Sequence, residues 1–278
     1  MTKMIFDAAV QTLLLIDTYM QIQTTPNAPV TEKPLYPNIN VPPDSKCLFQ
    51  KREMSIPDNN LTSTQIGDYQ IKVMETLRDV EKLWKEAGKW NVTQNVTCGG
   101  KIHKTSVNYQ KIYAVIVDFP VLPCRLADLL FSDLGKEKGW KKEIVKKVDV
   151  LLQIDEQMSI THSLTTSYPL LSTRDFMDLN YVGHHGSSYY HIFSSVNYSI
   201  PADPTIVRAI NYPGGLLLQP VETPQGLHTR LIWIINTDYK LNIFIQLMAE
   251  RKLVQTIAST VCQLKDYIKM NEDILTKR

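Results

Sequence analysis

The stretch Leu241–Met270, LNIFIQLMAERKLVQTIASTVCQLKDYIKM, decides how this chain folds. Leu247, Val254, Ile257, Val261, Leu264 and Ile268 recur three, four or seven residues apart, which puts them on one stripe of an α-helix. Glu250, Arg251, Lys265 and Lys269 lie largely off that stripe. At 1.5 Å per residue, a helix of about 25 residues spans roughly 38 Å. Almost everything between Trp90 and Asp238 reads as strands, and a strand-rich body has a face for such a helix to cover.

Working outward, Thr62–Glu86 has a second helical pattern, with Ser63 or Thr64 as its N-cap, an apolar side of Ile66, Val73, Leu77, Val80 and Trp84, and Gly88 as its stop. Strands are expected at Trp90–Val96, Lys101–Val107, Ile112–Val117, Lys147–Gln153, Met158–Leu164, Asp175–Val182, Ser188–Val196, Arg208–Ile210, Gly215–Val221 and Thr229–Asn236. Cys98-Gly99-Gly100, His184-His185-Gly186 and Asn211–Gly214 read as turns. Pro123–Leu134 reads as a short helix, and Trp140–Lys147 as another. Phe6–Gln23 reads as helical, and Thr24–Asn60 carries seven prolines that break helices and ladders. The expected division is therefore 1–61, a helical segment with a Pro-rich linker, and 62–278, a single α+β domain on an antiparallel sheet.

The totals exclude several classes. A net charge of +2 on 278 residues gives no global field for nucleic acid. The four cysteines, Cys47, Cys98, Cys124 and Cys262, are far apart and read as free thiols of a reducing compartment. Ala8–Ile16 is too short to span a membrane, and Asp7 spoils a signal peptide, so a cytoplasmic location is expected. No nucleophile elbow, phosphate-cradling glycine loop or dinucleotide fingerprint is present, so no catalytic residue is assigned. His184-His185 lacks a third ligand, so no metal site is assigned either.

Five motifs in order carry a resemblance. They are Trp140, Val148-Asp149-Val150-Leu151, Ser172-Thr173-Arg174-Asp175-Phe176, Val207 through Gly215, and Trp233-Ile234-Ile235-Asn236-Thr237-Asp238. Over about residues 64–272 the chain resembles the START (steroidogenic-acute-regulatory-protein-related lipid-transfer) domain. Within that family it is similar to the insect carotenoid-binding and late-endosomal cholesterol-binding subgroups. The resemblance implies a helix-grip fold, in which a curved antiparallel sheet wraps the long C-terminal helix around an internal lipid tunnel. It implies a gate made of the loop Leu164–Thr173 and the start of that helix. Leu170, Leu171, Arg174, Asp175 and Phe244 fall there, and the apolar ones are expected to touch a bilayer transiently.

Sterol-binding relatives often bury an acid just before the gate loop and an arginine six residues after the arginine of Arg-Asp-Phe. Here those positions hold Ser163 or His162, and Asn180, so the charged pair is gone, and Ser and Asn offer hydroxyl or amide hydrogen bonds without net charge. Asp178 shares a strand face with Asn180. Ser194 or Ser195, Trp233, Asn236, Leu247 and Val254 complete the expected lining. The resulting expectation is a monomeric carrier of one carotenoid, a xanthophyll such as lutein, with no cofactor beyond that ligand. Sterol binding and transfer is the alternative in the same fold, and a scaffolding module the alternative from another class.

Overall fold

The computed structural model describes residues 35–36, 61–131, 144–166, 172–200, 203–241, 243–271 and 275, without the side chains at 243, 244 and 246–248. Helix α1 (Ser63–Ala87) opens with a reciprocal capping box, in which Thr62 Oγ1 accepts from the Gln65 amide at 3.2 Å and Gln65 Oε1 accepts from the Thr62 amide at 2.9 Å. This moves the cap one residue ahead of Ser63 and Thr64. Only Thr62 has a Gln or Glu three positions on, and the box needs one.

Strands β1 (Asn91–Asn95), β2 (Lys101–Val107) and β3 (Gln110–Phe119) lead into helix α2 (Pro123–Phe131). Then come β4 (Val145–Gln153), β5 (Met158–Thr165), β6 (Arg174–His185) and β7 (Ser188–Ser195). Short strands β8 (Val207–Arg208) and β9 (Ile210–Asn211) precede β10 (Gly214–Thr223), β11 (Gly226–Ile235) and β12 (Thr237–Asp238). Helix α3 (Ile243–Met270) closes the order. The main sheet runs β1-β2-β3-β11-β10-β7-β6-β5-β4 with every pair antiparallel, and β8 adds in parallel to the head of β6. Two local expectations are corrected. Residues 145–147 start β4 rather than ending a helix, and β6 runs through His185, which leaves Gly186-Ser187 as the hairpin loop.

The sheet has two differently covered faces. Val254, Ile257, Val261, Leu264 and Ile268 of α3 pack with Val115, Val117, Leu216, Leu231 and Trp233, and α2 joins the same cluster. Val73, Val80 and Trp84 of α1 pack on the opposite face with Ile160, Leu179, Ile192, Leu217 and Ile234. The first is the inner face and the second the outer. Strand alternation then assigns every side chain of β5–β7 to one or the other. Burying the five α3 residues contributes on the order of 10 kcal/mol before chain entropy is set against it.

The cysteine reading is also corrected. Cys98 and Cys262 form a disulfide with Cα atoms 5.5 Å apart, while Cys124 is buried. The bond ties the β1–β2 turn to the middle of α3. A separation of 164 residues hides the pairing from any spacing rule.

Candidate functional site

On β6, Val182 belongs to the inner cluster, so Phe176, Asp178 and Asn180 share its face. On β7 the inner face carries Tyr189, His191, Phe193 and Ser195. On β5 it carries Thr161 and Ser163, which lie opposite Asp178 and Phe176.

Asn180 sits at the centre of a polar set on this face. Its Nδ2 donates to Thr161 Oγ1 at 2.9 Å and to the Asp178 carbonyl at 3.0 Å. Its Oδ1 lies 3.0 Å from His191 Nε2. With both amide protons committed to acceptors, the amide oxygen faces the ring, and His191 Nε2 is the donor. Asn180, His191 and Thr161 are all buried. The Asn180 oxygen keeps a second lone pair, and the Thr161 hydroxyl, accepting from Asn180, keeps its proton to donate. The set can therefore both give a hydrogen bond to one ligand hydroxyl and accept one from it. The ring of His191 is flanked by Phe131 and Phe193, with centroids at 5.9 and 5.7 Å.

Strand β10 crowds this point. A side chain at Gly215 would strike the His191 carbonyl oxygen, so the second glycine of the Gly-Gly pair is what lets β10 lie against β7 there.

Asp178 is buried next to that set. Ser195 Oγ donates to its Oδ1 at 2.8 Å and Asn211 Nδ2 to its Oδ2 at 2.7 Å. The Asn211 amide donates back to Ser195 Oγ at 2.8 Å, and Thr237 Oγ1 donates to Asn211 Oδ1 at 2.7 Å. This network ties β6, β7, β9 and β12 together.

Arg174 and Asp175 open β6. Arg174 is buried, and its Nε donates to the Tyr239 carbonyl at 3.2 Å while Nη1 bonds the carbonyl and hydroxyl of Ser172. It thus joins Ser172, just ahead of β6, to the segment that leads into α3. Loss of hydration lowers the Arg174 pKa from its usual value. Asp175 points to the outer face, where Arg208 grips it with bonds of 2.9 and 2.8 Å and His162 Nε2 lies 3.0 Å away. Burial pushes the Asp175 carboxyl up, but the bonds from Arg208 and His162 outweigh it and hold the group below the usual carboxylate value.

Helix α3 is latched on the other side of the sheet. Glu250 meets Lys104 Nζ at 2.9 Å, Lys111 Nζ, and Tyr113 Oη at 3.3 Å. The bond from Lys111, with Lys104 behind it and against the cost of burial, brings the Glu250 carboxyl down to about 2. Lower on the helix, Lys265 Nζ donates to the Cys98 carbonyl beside the disulfide.

Ser163, Asp178, Asn180, Ser195, Trp233 and Val254 thus lie on the inner side. Two expected lining residues do not. His162 faces outward to Asp175, and Ser194 faces α1, where its Oγ lies 2.9 Å from Thr76 Oγ1. Asn236 follows β11, donating to the Pro213 carbonyl at 3.3 Å while its buried Oδ1 has no protein partner among the described residues. Leu170, Leu171 and the side chains of Phe244 and Leu247 lie outside the described residues. Thr161 and His191 are the residues that sequence reasoning missed. The alternation Thr161-His162-Ser163 against Asp178–Asn180 held the signal, but only once the register was known.

Comparison with known proteins agrees with this geometry. The START domain profile matches residues 81–262. No curated protein sequence matches. Among solved structures, human StAR-related lipid transfer protein 5 superposes with a TM-score of 0.64 at 17% identity, over 74% of this chain and 99% of that one. Human STARD10 gives 0.52 at 16% identity, over 70% and 83%. The human StarD13 (DLC2) lipid transfer and protein localization domain gives 0.51 at 16%, over 70% and 95%. The sheet, its closing helix and the profile match agree: the chain belongs to the START domain family, whose members are lipid-binding and lipid-transfer domains.

Proposed function

We propose that this chain is a non-enzymatic, monomeric carrier that holds one hydroxylated isoprenoid in an apolar hollow between the inner face and α3. The preferred ligand is a xanthophyll carotenoid such as lutein, exchanged at membranes in the cytoplasm without a further cofactor. The observation that supports this reading is the Thr161–Asn180–His191 set, a buried donor and acceptor group on the inner face that α3 covers. The wall supplies affinity at about 25 cal/mol per Å² of buried apolar area. The polar set anchors one hydroxyl and leaves the rest of a long hydrocarbon to dispersion contacts. Exchange needs the mouth to open, and the Arg174 bonds to Ser172 and Tyr239 are the ones that opening breaks.

Sterol transfer is the second reading, and the buried Asp178 carboxylate favours it. A strong acceptor two residues from Asn180 suits a single ring hydroxyl. Competition between lutein and cholesterol for the purified protein separates the two. The carotenoid reading expects lutein to bind with a shifted visible spectrum and to displace cholesterol. Tight cholesterol binding with no lutein spectral shift overturns it.

A further inference from the structure

Two residues of the stretch read as linker are packed on the domain. Leu35 and Tyr36 join the outer-face cluster that α1 covers. Tyr36 Oη donates to Glu81 Oε1 on α1 at 2.6 Å, the length of a charge-assisted O–H···O bond. The Tyr36 ring lies over the imidazole of His185 at the end of β6, with centroids 4.7 Å apart and planes 45° apart. One residue is thus read by a carboxylate on a helix and by a ring on a hairpin.

The sequence around it is prepared for that role. Pro34-Leu35-Tyr36-Pro37 places a proline on each side. Proline fixes its own φ and biases the preceding residue toward extended backbone, so Tyr36 has little freedom left to lose on docking. Twenty-four residues separate Tyr36 from Leu61 in the sequence, and this covalent linkage raises the effective concentration of the pair near its cleft. Modest contacts therefore suffice to keep the cleft filled.

We propose that the cleft between α1 and the β6–β7 hairpin is a docking site for the Leu35-Tyr36 motif of this chain, with the Tyr36 hydroxyl as its recognition element. Strand β6 begins with Arg174 at the mouth and ends with His185 beside Tyr36, and twelve residues of strand span about 40 Å. The docked motif therefore lies at the opposite end of β6 from Arg174. This inference does not depend on which lipid is carried.

The test uses the full chain and the imidazole resonances of His185. Removing the ring in Tyr36→Ala moves those resonances by about 0.1 ppm or more, because an aromatic ring at this distance shifts its neighbour. Adding the decapeptide TEKPLYPNIN, residues 31–40, to the Tyr36→Ala chain returns them toward their wild-type positions. The same peptide binds the wild-type chain at least about tenfold more weakly, since the tethered motif already fills the cleft. Glu81→Gln weakens the peptide and leaves the His185 resonances of the unliganded Tyr36→Ala chain in place. His185 resonances identical in wild type and Tyr36→Ala overturn the proposal, as does a shift that saturating peptide does not reverse.

Discussion

His191 Nε2 donates to Asn180 Oδ1 across 3.0 Å, joining β7 to β6 inside the apolar wall. The Asn180 amide carries no charge, so this acceptor is buried without the desolvation penalty of an ion. Asn180→Leu removes the anchor and keeps the volume. We expect it to weaken lutein binding about tenfold, the worth of one buried hydrogen bond. Binding of β-carotene, which has no hydroxyl, changes by less than about twofold. Titration of both pigments by visible absorbance checks this, and equal losses for both contradict it.

The adjacent serines of β7 separate structural from ligand roles. Ser194 bonds Thr76 of α1 on the outer face, and Ser195 bonds Asp178 on the inner one. Ser194→Ala costs about 1 kcal/mol of stability and leaves ligand affinity unchanged. Ser195→Ala takes a donor from a buried carboxylate, costs about 2 kcal/mol, and lowers ligand affinity as well. Chemical denaturation and pigment titration of the two variants, side by side, read both effects.

Glu250 makes the hold on α3 depend on acid. Its carboxyl lies at about 2 in the folded chain against 4.5 when unperturbed. A depressed carboxyl contributes stability that is fully present above the unperturbed value and is lost as pH falls through the folded one. The loss therefore falls between pH 4.5 and about 2. Glu250→Gln removes this contribution at neutral pH and flattens the stability profile over that window. Thermal midpoints measured across the window in wild type and variant test it.

The disulfide closes a long loop. Bridging 164 residues contributes about 5 kcal/mol in the chain-entropy account, and reduction or Cys262→Ser lowers the melting temperature by roughly 10–20 °C. Reduction removes the covalent tie between α3 and the β1–β2 turn and leaves the Lys265 bond to the Cys98 carbonyl in place. A cytoplasmic carrier keeps this pair reduced, whereas an oxidising compartment keeps it bonded. Alkylation of Cys98 and Cys262 in native tissue therefore tests the location, and full protection from alkylation there contradicts a cytoplasmic one.

Much of this was legible in the sequence because periodicity survives without coordinates. The α3 stripe from Val254 to Ile268 is buried as its spacing requires, and alternation alone put Asp178 and Asn180 on one face. Register was harder, because one residue of slip turns a strand over. The β5–β6 loop length left His162 and Ser163 interchangeable, and pairing of His162 with Met177 turned the histidine outward. Ser194 and Ser195 posed the same problem until β7 was aligned to β6. Contacts between distant segments left no local trace. Cys98 meets Cys262, and Tyr36 meets Glu81 and His185, only through the fold.

The central claim is that one hydroxylated isoprenoid lies between α3 and the inner face. Mass spectrometry of the lipid extracted from protein taken from its native tissue tests it most directly. The account predicts a xanthophyll at about one molecule per chain. A phospholipid or fatty acid as the main ligand, or no lipid at all, contradicts it.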